Sequence, residues 1–217
     1  MKIKAILFDM DGVLIDAREW HYHALNRALA PFGFEIGLEE HLAVYDGLPT
    51  RRKLQMLTKA QGLPTRLHPL INRLKQRYTE ELAHSFCRPR FQHQYALARL
   101  SREGYRIAVC SNSIRNTVHL MMDRAGLSSY LEFFLSNEDV EKPKPDPEIY
   151  RIAAERMGVP PCQCLVVEDN QHGIEAARAA GTTVLAVTGV EEVTYTRIID
   201  AIQAATPMAG TEAIEVL

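Results

Sequence analysis

The sequence predicts an α/β protein: a doubly wound parallel sheet with a small α-helical cap inserted after the first strand. Three observations lead there. Short apolar runs rich in β-forming residues recur along the chain, and each stops at a polar loop. Stretches of helical composition lie between them and close at glycine. Residues 16–84, directly after the first run, carry helical patterns and no convincing strand.

The first run is Ile3 to Phe8, ended by Asp-Met-Asp-Gly. Arg106 to Cys110 ends at Ser111-Asn-Ser, Cys164 to Val167 ends at Glu168-Asp-Asn, and Thr182 to Val187 ends at Thr-Gly. Helices are expected over Arg115 to Ala125, Glu148 to Met157 and Gln171 to Ala180, stopped by Gly126, Gly158 and Gly181. Alternation of strand and helix builds a parallel sheet whose right-handed crossovers bring every strand's C-terminal end to one edge. Ligands of such folds sit at that edge. In the inserted stretch, Trp20 to Ala30, Arg51 to Ala60 and Leu70 to Leu82 read as helices, more than one crossover needs. A core of residues 1–15 and 85–217 with a cap of residues 16–84 over the strand ends is therefore expected. The residues from about Thr206 onward read as weakly specified, a fraying end.

Composition agrees with a globular chain: 217 residues, 47% hydrophobic, 24% charged, net charge −2. That balance gives no reason to expect nucleic acid or an anionic membrane as partner. Four cysteines, at 87, 110, 162 and 164, lack the spacing of a zinc site and read as reduced thiols. The apolar run at the N-terminus is too short for a signal peptide or membrane span, so a cytoplasmic location is expected.

The chemistry gathers at the strand ends. Asp9 and Asp11 stand two residues apart after the first strand, and Gly12 lets the backbone turn and approach a ligand. Glu168 and Asp169 follow another strand, which puts up to four carboxylates at one edge. Like charges that close need compensation, and a hard divalent cation such as magnesium supplies it while accepting phosphate oxygens. Ser111-Asn112-Ser113 precedes a helix, where hydroxyls and free N–H groups suit a phosphate, although a plain helix cap explains Ser113 equally. Lys142-Pro-Lys144-Pro-Asp-Pro is stiff, and a lysine held there could balance charge on a phosphate. Spacing alone does not decide which lysine points inward. Either Asn170 or one of the two acids before it could cap the helix that follows.

These four segments in this order, Asp9-Met-Asp-Gly-Val, Ser111-Asn-Ser, Lys142-Pro-Lys-Pro-Asp and Val-Val-Glu168-Asp169-Asn, resemble the motifs of the haloacid dehalogenase (HAD) superfamily. The resemblance covers nearly the whole chain and is nearest to the branch of β-phosphoglucomutase and small phosphatases with a helical cap. It implies a Rossmann-like core and a phosphoryl-aspartate mechanism. Asp9 would be the nucleophile and Asp11 the general acid and base. Ser111 and Asn112 would hold the phosphoryl group and Lys142, which begins Lys-Pro-x-Pro-Asp, would be the catalytic lysine. Asp9, the backbone carbonyl of Asp11, Glu168 and Asp169 would bind Mg2+. His21 sits where this branch often has a histidine facing the site; a partly exposed cap histidine is an equal reading. Arg51, Arg52, Lys53, Lys75 and Arg77 could reach a second anionic group of the substrate, though for each a solvated helix face is the plainer expectation.

The expected function is a magnesium-dependent phosphatase acting, as a monomer, on a small phosphorylated metabolite such as a sugar phosphate. A phosphosugar mutase is the alternative, weakened because Thr50 stands where the mutase has an arginine. A receiver-like phosphate-binding module is the alternative of another class; it would need neither the cap nor Asp11.

Overall fold

The computed structural model describes residues 2–205, so the stretch from Thr206 lies outside the described residues. Five parallel strands form one sheet: β1 (Ala5–Phe8), β2 (Arg106–Cys110), β3 (Phe133–Leu135), β4 (Cys164–Glu168) and β5 (Thr183–Ala186). Their order is β3-β2-β1-β4-β5. β1 therefore lies at the centre, where the winding reverses, and the crevice beyond its C-terminal end is where such sheets bind ligands. In register, Phe8 faces Val109 of β2 and Val167 of β4. The next residues, Asp9, Cys110 and Glu168, thus emerge side by side.

Strand side chains alternate between two faces. Ile6, Phe8, Ile107, Val109, Leu165 and Val167 join one core. That core is closed by α5 (Phe91–Arg102), α6 (Arg115–Arg124) and α9 (Tyr195–Ala205). Ala5, Leu7, Ala108, Cys110, Cys164 and Val166 point the other way, against α7 (Glu148–Arg156) and α8 (Gln171–Ala180). Near-continuous apolar strands follow from burial on both faces.

Between β1 and β2 run α1 (Arg18–Leu29), α2 (Leu38–Glu40, continuing into a π-helical turn over His41–Tyr45), α3 (Thr50–Gln61) and α4 (His68–Phe86). α1 packs on α4, and Leu25, Leu29, Leu54, Leu57, Leu63 and Ile71 make a cluster of their own. All four cysteines are free. No helix among the described residues is long and apolar enough to cross a membrane.

Two elements differ from expectation. β3 is only three residues long, Phe133–Leu135, and carries too little pattern to be distinguished from a loop. The α6 helix has Ile114 at its cap position rather than Ser113, whose hydroxyl is engaged elsewhere.

Candidate active site

Asp9 leaves β1 buried, 8% exposed, beside the last residue of β4. Its Oδ1 accepts a hydrogen bond from Lys144 Nζ at 2.6 Å. The same ammonium donates to Glu168 Oε1 at 2.5 Å and to the Cys110 carbonyl at 2.7 Å, so its three protons are all engaged. Burial works against the charged amine, yet Asp9 and Glu168 outweigh it and hold Lys144 above its ordinary pKa.

The lysine in the site is thus Lys144 and not Lys142, a correction to the motif alignment. Glu148, in the first turn of α7, takes the backbone N–H groups of Glu141 and Lys142 at 2.9 Å each, and the Lys142 side chain is exposed. Asn112 grips the next residues instead. Its Oδ1 accepts from Lys144 N at 3.1 Å and its Nδ2 donates to Lys144 O at 3.3 Å, which turns this lysine inward.

Glu168 is fully committed. Oε1 accepts from Lys144 and, at 2.6 Å, from Tyr150 Oη; Oε2 faces the N–H groups of Asp169 and Asn170 at 3.2 and 3.4 Å. Gly173, on α8, is what makes room for it: a Cβ there would stand 1.8 Å from Oε1 and 2.0 Å from Cδ. Alanine normally favours a helix over glycine by about 1 kcal/mol. Here Gly173→Ala is expected to reverse that sign, lowering stability by about 3 kcal/mol because Glu168 cannot move without breaking the Lys144 and Tyr150 bonds. Thermal unfolding checks this; a melting temperature equal to or above the parent's would contradict it.

Asp9, Glu168 and Asp169 offer carboxylate oxygens within 4.8 Å of one another. Burial, then Glu168, pushes the Asp9 carboxyl well above the usual range, and the same two causes push Asp169 up to about 7. The cluster is short of positive charge even with Lys144 and with Arg18, whose Nε lies 3.6 Å from Asp169 Oδ2. Asp169 Oδ1 is buried without a hydrogen-bond partner. An all-oxygen, electron-rich corner with an orphaned carboxylate oxygen fits a magnesium ion. Gly12 permits the approach of the two acidic loops: its φ is 88°, and a Cβ would fall 2.0 Å from Asp169 Oδ2.

The Asp11 carboxylate does not join that cluster. Its Oδ2 accepts from Ser113 Oγ at 2.8 Å, and its Oδ1 lies 3.0 Å from His21 Nε2, close but unaligned as a hydrogen bond. Lys75 Nζ meets His21 Nδ1 at 3.1 Å. Burial opposes ionisation of Asp11, but His21, then Ser113 and Lys75, more than offset it and hold the carboxyl below its ordinary range. Burial and Lys75 hold His21 below its ordinary range, against the pull of Asp11.

Ser111 is buried, and its Oγ accepts from Ser113 N at 3.0 Å. Asn112 also donates to the Gly47 carbonyl at 3.0 Å, which ties the second motif to the loop before α3. Asn170 caps α8 by accepting from His172 N, which frees Glu168 and Asp169 for the site. These elements surround a cavity of about 140 Å³, lined by Asp9, Glu168 and Lys144 from the sheet edge and by His21, Lys53 and Lys75 from the helical segment. Ser111, Asn112 and the exposed Arg51 line it too.

The expectation of solvated helix faces fails for two residues: Lys53 and Lys75 are 5% and 6% exposed. It holds for Arg52 and Arg77. A sequence signal existed. Ile71, Lys75, Thr79 and Ala83 recur every fourth residue on the buried stripe of α4, and Lys53 adjoins Leu54 and Leu57 on that of α3. Tyr150, Ser113 and Gly173 gave no comparable signal, because each acts through a contact between distant elements.

The model of haloacid dehalogenase-like hydrolases matches residues 6–187. A phosphorylated carbohydrates phosphatase of Thermotoga maritima is 29% identical over 182 residues, covering 82% of this chain and 82% of that protein. The fructose-1-phosphate phosphatase of Escherichia coli is 30% identical over 179 residues, covering 81% of this chain and 92% of that one. Among solved structures, β-phosphoglucomutase from Clostridium difficile superposes with a TM-score of 0.81 over 93% of this chain and 98% of that one; at 20% identity this likeness concerns the fold. The chain belongs to the haloacid dehalogenase-like hydrolase family. Within it, the chain stands among the phosphatases.

Proposed function

We propose that this phosphatase is magnesium-dependent, hydrolyses a small phosphorylated metabolite, and works through a phosphoryl group carried on Asp9. The observation that carries the reading is Asp9 itself, buried at the sheet's switch point with Oδ1 fixed by Lys144 and its carboxylate within 4.8 Å of those of Glu168 and Asp169. Residues 16–84 act in this reading as the cap that closes over the strand ends and selects the substrate.

The substrate phosphoryl group enters the cavity beside Ser111. The other Asp9 oxygen attacks phosphorus, the bond to the leaving oxygen breaks, and Asp11 gives that oxygen a proton. Water then attacks phosphorus, Asp11 takes its proton, and phosphate leaves with the Asp9 carboxylate restored. Ser113 orients Asp11 by holding Oδ2, which leaves Oδ1 for proton transfer. In the free enzyme burial opposes the charge on Asp11, but His21, Ser113 and Lys75 favour its carboxylate form, the form that the second step needs. The first step's proton is taken up by Asp11 from solvent as the substrate binds, because the negative phosphoryl group raises the proton affinity of the neighbouring carboxylate. Asp9 and Asp169 would hold magnesium, with Glu168 acting mainly to fix Lys144. The bound ion would supply charge neutralisation on the phosphoryl oxygens.

Support for a sugar-phosphate substrate comes from the two phosphatases described above. Both release phosphate by their names, and the phosphomutase alternative is not favoured. Phosphate release from p-nitrophenyl phosphate and a panel of phosphorylated metabolites tests the reading. Turnover is expected with magnesium and is expected to vanish with EDTA. Magnesium alone should also raise the melting temperature, because it binds the folded cluster only. A rate indifferent to chelator would overturn the metal assignment.

A further inference from the structure

Lys53 has no carboxylate in ion-pair contact; Asp46 and Asp11 attract it only from a distance. It is 5% exposed, and among the described residues its ammonium makes neither a hydrogen bond nor an ion-pair contact; only its backbone N–H is engaged, by the Pro49 carbonyl. It lines the cavity together with Lys75, which is 6% exposed and reaches only a ring nitrogen of His21. The acidic groups nearest the two lysines, Asp11 and Asp46, are engaged by Ser113 and Asn170. Burial pulls Lys53 down to about 8 and Lys75 to about 7, and the repulsion of Lys53 adds to the fall at Lys75.

A buried cation without a partner is costly unless something it faces compensates it. Lys144 cannot be the reason for this wall, since all its donors are held at the acidic corner. The transferring phosphoryl group belongs at that corner, beside Asp9. The cavity therefore has two electrostatic poles. Carboxylates and the place for a metal lie at one; the amines of the helical segment, which no carboxylate touches, form the other.

We propose that Lys53, backed by Lys75, forms an anion subsite that receives a second negatively charged group of the substrate, so that the preferred substrates are compact phosphate esters or anhydrides bearing a further carboxylate or phosphoryl group. This rests on the phosphatase reading and adds the substrate class. One cavity of about 140 Å³ is lined by both poles, so a single small ligand can face the two at once.

The test compares three probes: carboxymethyl phosphate, its neutral counterpart 2-hydroxyethyl phosphate, and pyrophosphate. Free phosphate release should give a kcat/KM at least about tenfold higher for one anionic probe than for the neutral one, as expected for a charge-assisted contact. Which anionic probe leads tells carboxylate from phosphoryl. Lys53→Met should cut that preference about tenfold, and Lys53→Arg should keep most of it. Lys53→Met should melt no lower than the parent without ligand, since an unpaired buried charge is removed, and should gain less from pyrophosphate. Equal rates on charged and neutral probes, or a preference untouched by Lys53→Met, would overturn the proposal. If no probe is hydrolysed, the phosphatase reading fails separately. Binding of the same probes to the Asp9→Asn protein still decides the subsite: tighter binding of an anionic probe, weakened by a second change at Lys53, supports it, and equal binding refutes it.

Discussion

Asp9→Asn is expected to abolish turnover, by about 10⁴-fold or more, while leaving the fold in place. The amide keeps the shape of the carboxylate and can still accept from Lys144, but it carries no charge with which to attack phosphorus. Stability should hardly change. Burial and Glu168 already make the ionised Asp9 unfavourable, so a neutral isostere relieves repulsion as it weakens the Lys144 contact. Phosphate release together with thermal unfolding in EDTA checks both halves. A retained rate would remove Asp9 as nucleophile, and collapse of the fold would show that its role is structural.

The second large effect separates two lysines that stand two residues apart. Lys144→Met leaves Asp9 and Glu168 buried and uncompensated, a loss expected to cost about 3–5 kcal/mol of stability. It should also lower kcat by about 10²-fold or more, because a preorganised positive charge beside the reacting phosphoryl group is lost. Lys142→Met removes an exposed side chain and should change stability by less than about 0.5 kcal/mol. The measurement is parallel: kcat and urea midpoint for both variants. If Lys142→Met were the damaging change, the assignment of the inward lysine would be wrong.

The pair also illustrates how far the sequence reached. β1, β2, β4 and β5 were legible because each is an apolar β-forming run stopped by polar residues, and Asp9, Ser111 and Glu168 were legible because they sit at those stops. β3 was not, since three residues carry no periodicity. The choice between Lys142 and Lys144 depends on two clamps, the Asn112 amide on one backbone unit and the Glu148 carboxylate on another. Neither clamp has a signature in local spacing. Gly173 shows the same limit from the other side. In sequence it is an unremarked glycine early in a helix, and only the position of Glu168 across from it explains why no side chain fits. Lys53 and Lys75 differ: their places on the buried stripes of α3 and α4 were open to reading, and the general expectation that lysines are solvated obscured them.

The covalent step is the centre of this account, and it can be observed directly. Enzyme mixed with a ³²P-labelled phosphate ester and magnesium, then quenched in acid within the first turnovers, should carry label on the peptide that contains Asp9, and hydroxylamine should release it as expected for an acyl phosphate. Turnover without labelled protein, or label on a peptide lacking Asp9, would contradict the mechanism proposed for this fold.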